Sequence, residues 1–153
     1  MTTISISKIA EGTVIDHIEP GIGIQIYELL NLKNHGAVVT LGLNLKSKKM
    51  GLKDLIKIEG RILSPEDLEL ISLFAPRSTI TLIQKTEITQ KYKVPFPSEV
   101  KGLFDCKNRS CISHHEIMKP SFKIYSRYKT IELECGFCLT KLNLNEASVK
   151  RPK

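Results

Sequence analysis

Apolar and polar positions alternate with two different periods along residues 1–97, and each change of period marks an element. Residues 13–18 (TVIDHI) are β-branched and rich in Val and Ile, which predicts a strand. After Pro20, Ile22, Ile26, Leu29 and Leu30 recur at helical spacing until Asn34 and Gly36 stop the pattern, so a helix follows. Residues 37–45 (AVVTLGLNL) and 53–59 (KDLIKIE) return to alternation on either side of the polar stretch KSKKMGL, which predicts a hairpin with a long loop. Ser64 stands where a helix cap belongs, with Pro65 at the first helical position. Leu68, Ile71, Phe74 and Ala75 make that helix's apolar face, and Pro76 ends it. A last alternating run, residues 79–88 (TITLIQKTEI), completes the order strand, helix, strand, strand, helix, strand. That order specifies a ferredoxin-like α/β sandwich with both helices on one face of an antiparallel sheet.

Ile4, Ser5, Ile6 and Ser7 also alternate, and predict either an edge strand or an arm. The stretch KYKVPFPSEVKG carries two prolines and no clear period, which sets a domain boundary near residues 94–100. Beyond it SFKIYS, KTIELEC and LTKLNLN are short strand-like segments separated by turns, and KRPK at 150–153 has the composition of a solvated tail. The fold class is therefore α+β: a ferredoxin-like domain over 1–97, then a small all-β zinc-ribbon (rubredoxin-like) domain over 98–153.

All four cysteines fall in that second domain, as Cys106-x4-Cys111 and Cys135-x2-Cys138. Each short loop supplies two corners of a tetrahedron, so two loops close a zinc site with no open position, and the metal is structural rather than catalytic. Two disulfides or free buried thiols are the alternatives, and a site of three cysteines with His114 or His115 would leave one cysteine idle. A redox reading of CGFC is weaker, because the motif lies between strands and not at a helix start.

Composition narrows the function classes. The chain has 153 residues and 23 basic against 16 acidic side chains, giving +7. Residues 1–97 hold 12 basic and 10 acidic (+2), and residues 98–153 hold 11 and 6 (+5). Four thiolates and one divalent cation would lower the second figure to about +3, so much of that basicity is local compensation. No apolar run approaches the roughly 20 residues of a membrane-spanning helix, and Met1 to Ala10 lacks a secretory pattern, so a cytoplasmic protein is expected. No Gly-rich phosphate loop, H-E-x-x-H or G-x-S-x-G occurs, and Asp16-His17 is the adjacent pair that suggests acid/base work. Two linked modules without evident chemistry of their own remain. A zinc-ribbon nucleic-acid-binding protein is one rival reading, although Phe104, Phe122, Tyr125, Tyr128 and Phe137 are too few and too strand-bound for a stacking platform. A stand-alone enzyme of ferredoxin-like fold is another.

Several stretches together, GTVIDHI at 12–18, GLNL at 42–45, MGLKDLIKIE at 50–59, LFAP at 73–76 and C-x4-CISH with C-x2-C at 106–138, resemble the regulatory chain of aspartate carbamoyltransferase along nearly the whole sequence. The resemblance implies a non-catalytic subunit in pyrimidine biosynthesis. Its first domain would bind the nucleotide effectors CTP, UTP or ATP, and its zinc domain, with one structural Zn²⁺, would hold the catalytic chain. Regulatory chains would pair as homodimers, with neither nucleic acid nor membrane as a partner. Carried over by motif, Asp16, His17 and Lys57 would contact base, ribose or phosphate, and Lys91, beyond the last strand, would meet the triphosphate. Ile9 would read the base edge through its backbone, with Leu55, Ile83 and Ile88 as apolar neighbours. Asn108 in the first zinc loop would contact the catalytic chain. Thr86 stands where the family often has an aromatic residue, and Ser110 where it often has Asn.

Overall fold

The computed structural model describes residues 10–115 and 119–149, so the alternation at 4–7, Ile9 and the 150–153 tail lie outside the described residues. The chain divides into two compact units between Pro95 and Phe96.

The first unit runs β1 (Gly12–Ile18), α1 (Gly23–Leu29), β2 (Val39–Ser47), β3 (Gly51–Glu59), α2 (Pro65–Phe74), β4 (Thr79–Gln84) and β5 (Glu87–Tyr92). Its antiparallel sheet has the order β2-β3-β1-β4-β5, which is the ferredoxin-like arrangement with one strand added at the β4 edge. The helices close one face over Ile15, Ile18, Ile56, Ile58 and Ile80 from the sheet, with Ile26, Leu30 and Ile71 from the helical side. α2 starts where the sequence places it. Ser64 accepts from the Asp67 N–H and Asp67 reaches back to the Ser64 N–H, a reciprocal cap of the kind that stabilises a helix by about 1 kcal/mol.

Two local expectations are corrected. Residues 79–88 do not form one strand: Lys85 and Thr86 take positive φ (51° and 66°) and turn the chain into the β4–β5 hairpin, so Lys91 lies within β5 rather than beyond the last strand. Two consecutive left-handed residues give a turn whose twist matches a tight hairpin, but neither Lys nor Thr advertises it. The β2–β3 loop is also short. Ser47 pairs with Gly51, leaving only 48–50 between the strands, because the polar residues of KSKKMGL continue the edge ladder.

β1 and β2 each carry a bulge, between Ile15 and Ile18 and between Gly42 and Leu45, with His17 (φ 57°) and Asn44 (φ 56°) in the left-handed region. Asp54, a fully buried carboxylate on the core side of β3, braces the β2 bulge and the turn that follows β1. It accepts the N–H of Asn44 at 2.9 Å, of Gly21 at 3.0 Å and of Gly23 at 2.9 Å. A Cβ at Gly23 would lie 2.8 Å from that carboxylate, so only glycine lets α1 begin there.

The second unit contains β6 (Glu99–Lys101), β7 (Phe104–Asp105), β8 (Ser121–Arg127), β9 (Thr130–Cys135), β10 (Lys141–Asn143) and β11 (Ser148–Val149). A four-stranded sheet has the order β10-β9-β8-β6, and β11 pairs with β7. The short β6, β7 and β11 carry too few residues to show a period in sequence. Phe104 and Phe122 are fully buried and meet edge to face at 6.2 Å, which makes them core rather than a surface platform.

Candidate functional site

Strand register decides what the open face of the first sheet presents. Lys57 pairs with Val14, Val14 with Thr81, and Thr81 with Lys91, so the two lysines stand at opposite ends of one row across four strands. Among the described residues neither has an ion-pair partner. Ile83 and Ile88 are paired on the same face, and Leu55 lies one pleat from Lys57.

In a regular strand Asp16 and His17 would point to opposite faces. The bulge prevents this. Asp16 bonds Lys53 Nζ at 2.9 Å, while the His17 ring reaches the Thr79 hydroxyl at 3.2 Å, and Thr79 is the residue paired with Asp16. Both side chains therefore serve the open face. Burial raises the Asp16 carboxyl, but the Lys53 hydrogen bond and the His17 N–H bring it below its ordinary value. Burial lowers His17; the neighbouring Asp16 opposes this, and the ammonium groups of Lys53, Lys49 and Lys91 add to it. The imidazole is thus neutral at pH 7, in a field that favours an arriving anion.

At the Gly12 end of the face a recess of about 450 Å³ is lined by Ala10, Glu11, Ala37, Glu59, Gly60 and Lys85. Thr86 donates its N–H to the Ala10 carbonyl at 2.9 Å and so ties the β4–β5 turn to its rim. Glu59 of the recess stands two residues along β3 from Lys57 of the lysine row, about 7 Å at strand rise.

The second unit gathers the four cysteines, whose sulfurs all lie within 4.8 Å of one another. Cys106 and Cys138 approach to 3.6 Å and Cys111 and Cys135 to 3.7 Å, one partner from each loop. A tetrahedral metal with bonds of about 2.3 Å spaces its sulfurs about 3.8 Å apart, so the set fits one ion. All four are free thiols, which sets aside the disulfide alternative. The histidine alternative also fails: among the described residues the ligand group holds the four sulfurs and neither His114 nor His115, and His114 turns its Nε2 to the Asn108 carbonyl at 3.0 Å.

Hydroxyl groups that the spacing did not point to support this cluster. Ser113 gives its hydroxyl to Cys111 Sγ at 3.1 Å, and the Thr140 hydroxyl lies 3.1 Å from Cys138 Sγ. Each lies two residues after the second cysteine of its pair, an offset readable in the sequence. Burial pushes the Cys106 thiol up to about 12, and raises Cys135, whereas Thr140 brings the more accessible Cys138 down to about 6. One thiolate is ready, and a divalent cation would displace the remaining protons. Asn108 shapes the first loop by accepting the Ser110 N–H at 3.0 Å.

A folded sheet domain with an open cationic face, joined to a small unit built around a four-thiol metal centre, defines a binding and docking protein. The family model for the aspartate carbamoyltransferase regulatory chain allosteric domain matches residues 4–95, and that for its metal binding domain matches 98–148. Regulatory chains from Thermococcus sibiricus (41% identical over 90% of this chain and 91% of the relative), Pyrococcus furiosus (40%, 90% and 91%) and Vibrio parahaemolyticus (38%, 90% and 90%) are similar throughout. The chain belongs to the family of aspartate carbamoyltransferase regulatory chains, a non-catalytic subunit of that enzyme whose partner is a catalytic chain.

Proposed function

We propose that the chain binds the nucleotide effectors CTP, UTP or ATP on the open face of its first sheet and transmits their effect to catalytic chains of aspartate carbamoyltransferase, with one structural Zn²⁺ in the four-cysteine site. The observation that carries this reading is the row Lys57–Val14–Thr81–Lys91, whose two ammonium groups have no ion-pair partner among the described residues and stand next to the Asp16–His17 bulge along β1. Ammonium groups suit phosphate oxygens, and a carboxylate such as Asp16 accepts ribose hydroxyls once Lys53 shares it. The recess beside Ala10 gives the base a place at the Gly12 end of the same face.

Partner surfaces follow from the same geometry. Beside the metal centre, Ile112, Phe137 and Leu139 are exposed next to Asn108 and offer the catalytic chain an apolar contact with a polar rim. β2 is an edge strand with Leu43 exposed on it, and a second copy of the chain would complete its ladder as a homodimer. The nucleic-acid reading is disfavoured by the second sheet, whose cross-strand row Glu99, Lys123, Glu134, Lys141 alternates in sign and tracks no phosphate backbone.

Calorimetry of the full chain tests the effector site. Lys57→Ala and Lys91→Ala should each weaken CTP by roughly 1.5–3 kcal/mol without loss of bound metal. Wild-type affinity in both variants would refute the assignment. A second measurement addresses His17. Its pKa is depressed in the free chain, and a phosphate placed on it favours the imidazolium, so bound nucleotide should raise that pKa. Binding then takes up a proton, and affinity rises as pH falls through the bound-state pKa, levelling below the free value. An NMR titration of the His17 ring that is the same with and without CTP removes His17 from the site.

A further inference from the structure

The β2–β3 hairpin extends the cationic face beyond the Lys57–Lys91 row and the Asp16–His17 bulge. Ser47 and Gly51 close it, and Met50 donates its N–H to Ser47 Oγ at 3.2 Å, so the tip carrying Lys48 and Lys49 is a formed turn. Two residues past Gly51, Lys53 makes its ion pair with Asp16 at 2.9 Å, which fixes the tip beside the Asp16–His17 end of β1, the end away from the recess. Three segments therefore bring ammonium groups to the His17 ring: Lys53 from β3, Lys91 from β5 and Lys49 from the tip. Only Lys53 is balanced by a carboxylate; among the described residues Lys49 and Lys91 have no ion-pair partner. Like charges gathered this way repel one another, and a polyanion between them relieves the repulsion.

The order along the face is recess, lysine row, His17 bulge, then hairpin tip. A nucleotide with its base at the recess reaches the row with its ribose and first phosphates, and reaches the tip only with its last. We propose that Lys49 is a specificity-determining residue that contacts the terminal phosphate and makes the face select nucleoside triphosphates over di- and monophosphates. This rests on the reading of the open face as a nucleotide site. Lys48, its exposed neighbour on the same tip, serves as the control.

The test is calorimetry of the full, metal-loaded chain with CMP, CDP and CTP at one fixed salt concentration. Lys49→Ala should lose about tenfold in CTP affinity and no more than about twofold in CMP affinity, so that the CTP to CMP ratio contracts. Lys48→Ala should keep the wild-type ratio. If wild type binds CTP but Lys49→Ala leaves the ratio unchanged, or Lys48→Ala contracts it equally, the role of Lys49 is overturned. A wild-type chain that binds none of the three nucleotides instead overturns the nucleotide site itself.

Discussion

Removal of the metal is expected to unfold the unit that follows Pro95 while the first unit keeps its sheet. The second unit's core is small, centred on Val100, Leu103, Phe104, Phe122, Leu133 and Leu142, and four of its strands, β6, β7, β10 and β11, are only two or three residues long. Such a core supplies little net stability, whereas a structural zinc site contributes on the order of 10 kcal/mol. Without the ion the four sulfurs would remain crowded within 4.8 Å with nothing to hold the loops together. Elemental analysis should find one zinc per chain. A chelator or a thiol-reactive mercurial should collapse the amide dispersion of this unit in NMR spectra and detach the chain from catalytic chains. Metal loss should also become easier as pH falls, because protons compete for the thiolates and two of these thiols are already pushed up by burial. A metal-free second unit with native dispersion would show that the ion is dispensable to folding.

Replacement of Asp54 is expected to be the most damaging single change in the first unit. Asp54→Ala leaves the N–H groups of Gly21, Gly23 and Asn44 without their acceptor, that of Gly23 in a buried position and the other two partly buried. Bonds to a charged acceptor are worth about 1.5–3 kcal/mol each, but they are not additive, so a loss of about 4 kcal/mol is the expected scale. Urea unfolding followed through resonances of the first unit measures it. The carboxylate braces the β2 bulge, and the backbone of the same residue pairs opposite Ile18 at the end of the β1 bulge, so nucleotide affinity should fall with stability. A change below about 1 kcal/mol would mean that water replaces the carboxylate without cost.

Much of this protein is legible in its sequence. Hydrophobic period separates strands from helices because burial of one face repeats every two or about every 3.6 residues, and the order of periods leaves few topologies for the first unit. Cysteine spacing identifies a metal site because the geometry of a tetrahedral ion is carried by two short loops. Ser64-Pro65 marks the start of α2 because capping uses only adjacent residues. These features are local, so the chain carries them in plain order.

What the tertiary structure alone decided depends on residues far apart meeting in register. Lys57 and Lys91 are two lysines among many until β1 and β4 place them in one row. His17 joins Asp16 on the open face only because a bulge turns its φ to 57°, and no periodic pattern encodes a bulge. Lys85-Thr86 lacks the Asn-Gly chemistry that announces a tight turn, so the β4–β5 hairpin is set by the Thr86 bond to Ala10 and by pairing across the sheet. Asp54 shares the parity of Ile56 and Ile58 and stands in the sequence as a charge on a core face. Its three backbone donors come from two other segments of the chain, and only the assembled sheet brings them together.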